Sequence, residues 1–230
     1  MSERPAEETL RRVLDATLAA LALAALAPAL AVIALLVKAT SRGPVLFVQE
    51  RVGREGVPFR LLKFRTMARD APRRGPALTV GGDPRITPLG RVLRRWKIDE
   101  LPQLANVVRG DMSLVGPRPE VPCYVAGYTA AQRRVLRVRP GITDPASLSY
   151  VDESQLLARF DDPERGYVDV VLPRKLALSL AYLEHRTLRS DLALLARTAL
   201  RLLHRRSAAA TDAAVVSESN AHVVRPQEET

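Results

Sequence analysis

The 230-residue chain has a single cysteine, Cys123, so no internal disulfide framework is available, and a reducing compartment suits it. Its three histidines, His185, His204 and His222, are scattered and show no metal-ligand spacing. Aromatic residues make up only 4% of the chain, which argues against base stacking, and no zinc-finger, homeodomain or RNP-type pattern occurs. Nucleic acid is therefore not the expected partner. Internal repeats are lacking too. Acidic residues are relatively scarce: 25 Asp and Glu face 35 Lys and Arg, a formal net charge of +10. That balance favours anionic partners, here an acidic membrane surface or phosphate-bearing substrates.

What is present begins with an apolar run. Ala16 to Val37, "ATLAALALAALAPALAVIALLV", holds 22 residues without a charge, and Thr17 is its only polar side chain. About 20 such residues cover a bilayer. A signal peptide would have an apolar core of about 7–15 residues and a positive flank where Asp15 sits. The run is therefore expected to reside in a membrane. Pro28 divides it into 12 residues before and 9 after, and an interior proline removes a helical hydrogen bond and favours a kink. Cations flank both ends, Arg11 and Arg12 before, Lys38 and Arg42 after. Positive flanks prefer the cytoplasmic side. Two topologies fit these residues alone: a kinked span, or two half-length helices that dip into one leaflet and return.

Beyond the run, Val45–Val52 and Val57–Phe64 read as strands of a hairpin, with Gly53 and Gly56 in the turn. Residues 68–84, rich in Gly, Pro and Arg, read as a mobile loop. Leu89, Val92, Leu93 and Trp96 have helical spacing. Asp99 suits a helix N-cap, with Pro102 in the first turn and Gly110 just past the last. From Pro173 to Arg206 leucine rows alternate with Lys and Arg, as on a helix lying on an anionic membrane or on the outside of a bundle. The predicted organisation is a flexible N-terminus (1–10), a membrane helix (11–40), a catalytic domain (41–206) and a disordered tail (207–230).

The chemistry centres on "KIDELPQL", residues 97–104. Successive helical residues point about 100° apart, so Asp99 and Glu100 cannot serve one atom together. They suit separate duties: one attacks, the other holds a metal. An Asp ionised among arginines, beside a helix end that attracts phosphate, is a workable nucleophile forming an acyl phosphate. Mg²⁺, which uses one or two protein carboxylates plus substrate phosphates, would relieve the charge repulsion. The plainer alternative makes Asp99 an N-cap and Glu100 a first-turn acid. In "GPRP", Pro117 and Pro119 fix the backbone around Arg118, a preset guanidinium suited to bidentate phosphate contact. In "KFRT", alternation puts Lys63 and Arg65 on one side of the second strand.

Together "RRVLD", "SRGPVLFVQERVGREGVPFRLLKFRTM", "DPRITPLGRVLRRWKIDELPQLANVVRGDMSLVGPRPE" and "RPGIT" resemble the bacterial sugar transferases, the monotopic polyprenyl-phosphate phosphoglycosyl transferases. The motifs cover residues 11–145 and the likeness continues more loosely to 203, matching the short, catalytic-domain-only form. The resemblance implies an α+β, predominantly helical fold with a re-entrant membrane helix broken at Pro28, a small hairpin and membrane-surface helices. It implies transfer of a sugar 1-phosphate from a UDP-sugar to undecaprenyl phosphate with release of UMP, on the cytoplasmic face of the bacterial inner membrane, as an early membrane step in surface polysaccharide synthesis. By motif position, Asp99 is then the nucleophile and Glu100 the Mg²⁺ residue. Arg94 falls on a phosphate-binding arginine, Pro117, Arg118 and Pro119 on the nucleotide-side loop, and Lys63 beside the site. Membrane lipids are implied partners, and a homodimer is an open option.

Two departures stand out. Ala27 precedes Pro28 where the family often has Ser, and "DPASLSY" follows "PGIT" where many members continue with Gly and a Trp-Gln segment, so the sugar cannot be copied from them. Two rivals remain. In one, Asp99 is a general base for direct attack by the lipid phosphate. In the other, the protein is a membrane-anchored polyanion binder with no catalysis.

Overall fold

The computed structural model describes residues 5–75 and 78–203. The disordered tail expected at 207–230 lies outside the described residues. The architecture is mostly helical, with two small sheets. Helix α1 (Pro5–Thr40) leads into the antiparallel hairpin of β1 (Leu46–Val52) and β2 (Pro58–Phe64), in register from Leu46 opposite Phe64 to Val52 opposite Pro58. Then come α2 (Pro88–Arg95) and α3 (Gln103–Arg109). Strand β3 (Ser113–Val115) pairs in parallel with β4 (Gly141–Thr143), and α4 (Pro122–Ala126) lies between them in sequence. The C-terminal part comprises α5 (Pro145–Ser149), α6 (Glu153–Leu157), α7 (Pro163–Arg165), a π-helical stretch (Gly166–Val171), α8 (Leu172–Glu184) and α9 (Leu188–Leu203).

Helix α1 corrects two expectations. It begins at Pro5, inside the segment read as loose, and it continues through Pro28 without interruption. A proline deletes one hydrogen bond, which the remaining turns and lateral packing on both sides can offset. That packing is a single stripe at helical spacing. Ala19, Ala22, Leu23 and Leu26 meet Leu61, Leu104, Val107 and Met112, while Leu30, Ile33, Ala34 and Val37 meet Phe64 and Leu93. Ala19 and Val37, on opposite sides of Pro28, are 0% and 1% exposed. The other face presents Leu14, Leu18, Leu21, Val32, Leu35 and Leu36 outward. Both halves of the apolar helix thus lie against the same domain. It is the one helix among the described residues long and apolar enough to cross a membrane, by length and composition.

A separate core gathers Leu156, Leu157, Tyr167, Val171, Leu172 and Leu176 with Val52, Val125, Tyr128 and Val135. Strand β2 joins the two clusters along α1 through Leu61 and Phe64, while Val52 of β1 belongs to the separate core. Buried Arg85 bonds to described residues of the segment read as a mobile loop. Its guanidinium forks onto Asp83 at 2.7–3.1 Å and also donates to the Leu78 carbonyl.

Candidate active site

Asp99 and Glu100 do not open α3. Lys97 takes a left-handed conformation (φ 56°), which starts a tight 3-10 turn over Ile98–Glu100; Pro102 then caps α3 and Gly110 ends it at φ 97°. The expected N-cap role of Asp99 is therefore corrected, because the turn ends before the helix begins. Adjacent residues of a three-residue turn still diverge, and the two acids have different surroundings.

Both carboxylate oxygens of Glu100 accept from cations. Arg118 forks onto it, Nη1 to Oε2 at 3.1 Å and Nη2 to Oε1 at 2.6 Å, and Lys63 Nζ adds a bond to Oε1 at 3.2 Å. Burial alone would raise the Glu100 pKa, but Arg118, then Lys63 and Lys97, hold it well below the usual carboxylate range. Glu100 in turn raises Arg118. Burial draws Lys63 down to about 8, against the pull of Glu100.

Asp99 is the opposite case. It is 6% exposed, and its Oδ1 is buried without a hydrogen-bond partner among the described residues. Burial, then the Glu100 charge, raises its pKa; Lys63, Lys97 and Arg94 pull the other way. An orphaned buried carboxylate oxygen costs several kcal/mol unless a ligand completes it, on the order of 1–3 for the lost hydrogen bond alone. Such an atom marks a site built for something else to bind.

The supports are local. Lys63 lies one residue before the end of β2, and Asn106 fixes that strand to α3: its Oδ1 accepts from Leu62 N–H at 3.1 Å, and its Nδ2 donates to the Arg60 carbonyl at 2.8 Å. A Cβ at Gly90 would lie 2.1 Å from the Thr66 carbonyl, so only glycine lets α2 approach. That approach places Arg94 Nε 2.8 Å from Thr66 Oγ1. Before the Pro-Arg-Pro loop, a Cβ on Gly141 would strike the Gly116 backbone at 2.1 Å; this contact seats the loop, with Gly141 N–H bonding to the Pro117 carbonyl at 2.9 Å. Arg51 Nη1 reaches the Pro119 carbonyl at 3.1 Å.

The fold therefore brings Lys63, Arg94, Asp99, Glu100 and Arg118 together, framed by Pro117 and Pro119. Arg65 does not belong to the group. It follows the end of β2, and its Nη2 donates to the Ser41 carbonyl and hydroxyl at 2.7 Å, with a further bond to the Pro44 carbonyl. It closes the C-terminal end of α1, where a cation meets unpaired carbonyls, so the structure does not bring it to the group it was expected to join. Pro28 is exposed on α1. Sequence reasoning missed Arg51, Asn106 and Glu120. For Glu120 a signal existed, since it directly follows the Pro-Arg-Pro loop.

For Mg²⁺ the donor set fits. Glu100 Oε2 uses one of its two acceptor positions, Asp99 Oδ1 uses none, and both are hard carboxylate oxygens. Among the described residues there is no group of three or more His, Cys, Asp or Glu that could hold a metal ion.

A carboxylate pair walled by cations thus sits on a mostly helical domain with a long apolar helix along one side. The chain matches the family described as bacterial sugar transferase over residues 6–205, and it belongs to that family of transferases. It is 40% identical over 215 residues to a UDP-glucose:undecaprenyl-phosphate glucose-1-phosphate transferase of Caulobacter vibrioides, covering 87% of this chain and 72% of that one. It is 34% identical over 210 residues to the exopolysaccharide production protein ExoY of Sinorhizobium fredii, covering 85% and 86%. An Aeromonas hydrophila protein named for transfer of N-acetylgalactosamine phosphate to undecaprenyl phosphate is 40% identical over 139 residues, 58% of this chain and 32% of the relative. The chain thus spans about a third of that longer relative. Relatives at equal identity carry different sugars in their names.

Proposed function

We propose that this protein transfers a sugar 1-phosphate from a UDP-sugar to undecaprenyl phosphate and releases UMP, through a covalent phosphosugar on Asp99. The observation that carries the reading is the buried, unpartnered Oδ1 of Asp99 beside a Glu100 already satisfied by Arg118 and Lys63. Asp99 attacks the phosphorus that bears the sugar; the bond from that phosphorus to the bridging oxygen breaks, and UMP leaves with the electron pair. An oxygen of undecaprenyl phosphate then attacks the same phosphorus, the Asp99 carboxylate departs, and undecaprenyl diphosphate-sugar is the product.

Arg118, on its proline-framed loop, and Lys63 meet the donor phosphates, and Arg94 supplies positive charge beside Asp99. Bound Mg²⁺ would be held by Glu100 with the donor diphosphate and would neutralise phosphate charge. The lipid acceptor keeps its tail in the bilayer. An α1 whose two halves pack on one domain and whose outer face is leucine-rich favours residence in a single leaflet of the inner membrane, with the site at headgroup level on the cytoplasmic side.

The test is UMP release by the nanodisc-held protein across a panel of UDP-sugars with Mg²⁺, with and without undecaprenyl phosphate, beside Asp99→Asn. The expected result is release from one donor in the absence of acceptor, and none from Asp99→Asn. Release that requires the acceptor would replace the covalent step with direct attack, Asp99 acting as base. No release from any donor would sink the assignment.

A further inference from the structure

Behind the Pro-Arg-Pro loop lies a second cluster of charge that touches no proposed substrate. Lys175, on α8, is 5% exposed, Glu120 is 8% and Tyr167 is 3%. Lys175 Nζ lies 2.5 Å from Glu153 Oε2, 3.5 Å from the Tyr167 hydroxyl and 3.9 Å from Glu120 Oε1. The Tyr167 hydroxyl donates to Glu120 Oε1 at 2.5 Å, and Arg51 Nη1 meets Glu120 Oε2 at 3.3 Å. Glu120 adjoins Pro119, and Val52 N–H holds the Glu120 carbonyl at 2.9 Å, so the cluster and the loop form one rigid piece.

Two carboxylates thus stand behind Arg118, whose working partner, Glu100, stands in front. Glu153 and Glu120 both act on the Arg118 charge through space, after Glu100. Unless neutralised, they would compete for the guanidinium that donor phosphate must recruit. From this geometry we infer that Lys175 is a positioning residue: by neutralising Glu153 and Glu120 it keeps Arg118 directed toward Glu100 and the donor diphosphate. The inference rests on the reading of Arg118 as a donor-phosphate group.

The experiment uses the full chain in nanodiscs and measures UMP affinity by calorimetry, KM and kcat for the UDP-sugar, and Tm. Lys175→Met is expected to weaken UMP binding and raise KM about tenfold, with kcat changed less than about threefold. Lys175→Arg should retain wild-type KM. The decisive variant is the double Glu153→Gln/Lys175→Met, expected to recover most of the lost affinity because the competing carboxylate is gone. If Lys175→Met does not fold, wild-type UMP affinity in the double variant still supports the inference. A double variant as weak as or weaker than the single one overturns it, as does a lowered Tm with unchanged KM. Arg118→Lys separates the two levels. If it weakens UMP binding while Lys175→Met does not, the positioning role alone falls; if wild type binds no UMP, the reading of the site falls and takes this inference with it.

Discussion

The carboxylates on the two sides of the Pro-Arg-Pro loop are built from the same side chains to opposite ends. Behind the loop, Glu120 and Glu153 share Lys175, and Glu120 also holds Arg51 and Tyr167. In front, Glu100 is equally satisfied, but Asp99 retains a buried oxygen with no partner and a raised pKa. A closed network stiffens a loop; an open one stores free energy that a substrate can release. The difference teaches that completeness of hydrogen bonding, not charge, separates the two sides, since charge is abundant on both.

The largest test of this contrast is the same chemical change made on each side. Asp99→Asn should abolish UMP release, a fall of about 10³-fold or more, because an amide cannot form the acyl phosphate. It should also raise Tm at neutral pH. Burial raises the Asp99 pKa above its unfolded value, so stability from this group is present below the unfolded pKa and is lost as pH rises through the folded one. Asn removes that cost. Active, destabilised Asp99→Asn would contradict both expectations. Glu120→Gln, by comparison, should lower Tm and leave kcat within about an order of magnitude, since it alters only the loop support.

Next in size is the fork between Arg118 and Glu100. Lysine at position 118 keeps the charge and loses the planar two-point contact, so Arg118→Lys should raise the donor KM about 10- to 100-fold, measured with saturating acceptor. An unchanged KM would show that Arg118 serves Glu100 alone. Smaller again is Asn106→Ala, which leaves the Leu62 amide and the Arg60 carbonyl without their partner. It should lower stability by about 2–4 kcal/mol in denaturant unfolding, with Asp99 chemistry intact in the folded fraction. Loss of kcat without loss of stability would instead place Asn106 in the chemistry.

How much of this was legible beforehand follows from the kind of signal involved. The hairpin, α2 and the Leu-rich helices were carried by local periodicity, and the structure places them within a few residues of the expected bounds. The gathering of Lys63, Asp99, Glu100 and Arg118 was legible by motif, because each sits in a short, distinctive string. Arg65 lies apart from the group because strand alternation stops at Phe64; one residue later its side chain serves the end of α1, a contact across more than 20 residues that no local pattern encodes. The unbroken α1 was misread for a related reason. Proline's local preference is real, but the packing stripe on both sides of Pro28 is tertiary. Lys175 looked like one more cation on an amphipathic helix; only the fold shows it buried among acids.

The smallest expected effect is on the pH profile, and it separates Lys63 from Arg118. Lys63 loses its proton at about 8 because burial disfavours the ammonium more than Glu100 favours it. As pH rises through that value, one of the two cations on Glu100 disappears while the Arg118 fork remains. Activity should therefore decline by only a few fold on the alkaline side, against a complete loss on the acid side once Asp99 is protonated. Stability should move the other way. The unfolded lysine holds its proton up to about 10.4, so between about 8 and that value the unfolded state binds more protons and this group's contribution to stability rises with pH. Falling activity with Tm not reduced by this group is then the signature of Lys63 rather than of unfolding. Lys63→Arg, which stays charged, should remove the alkaline decline and leave the acid limb in place. Persistence of a decline near pH 8 in Lys63→Arg would assign it to another group and leave Lys63 a structural partner of Glu100 only.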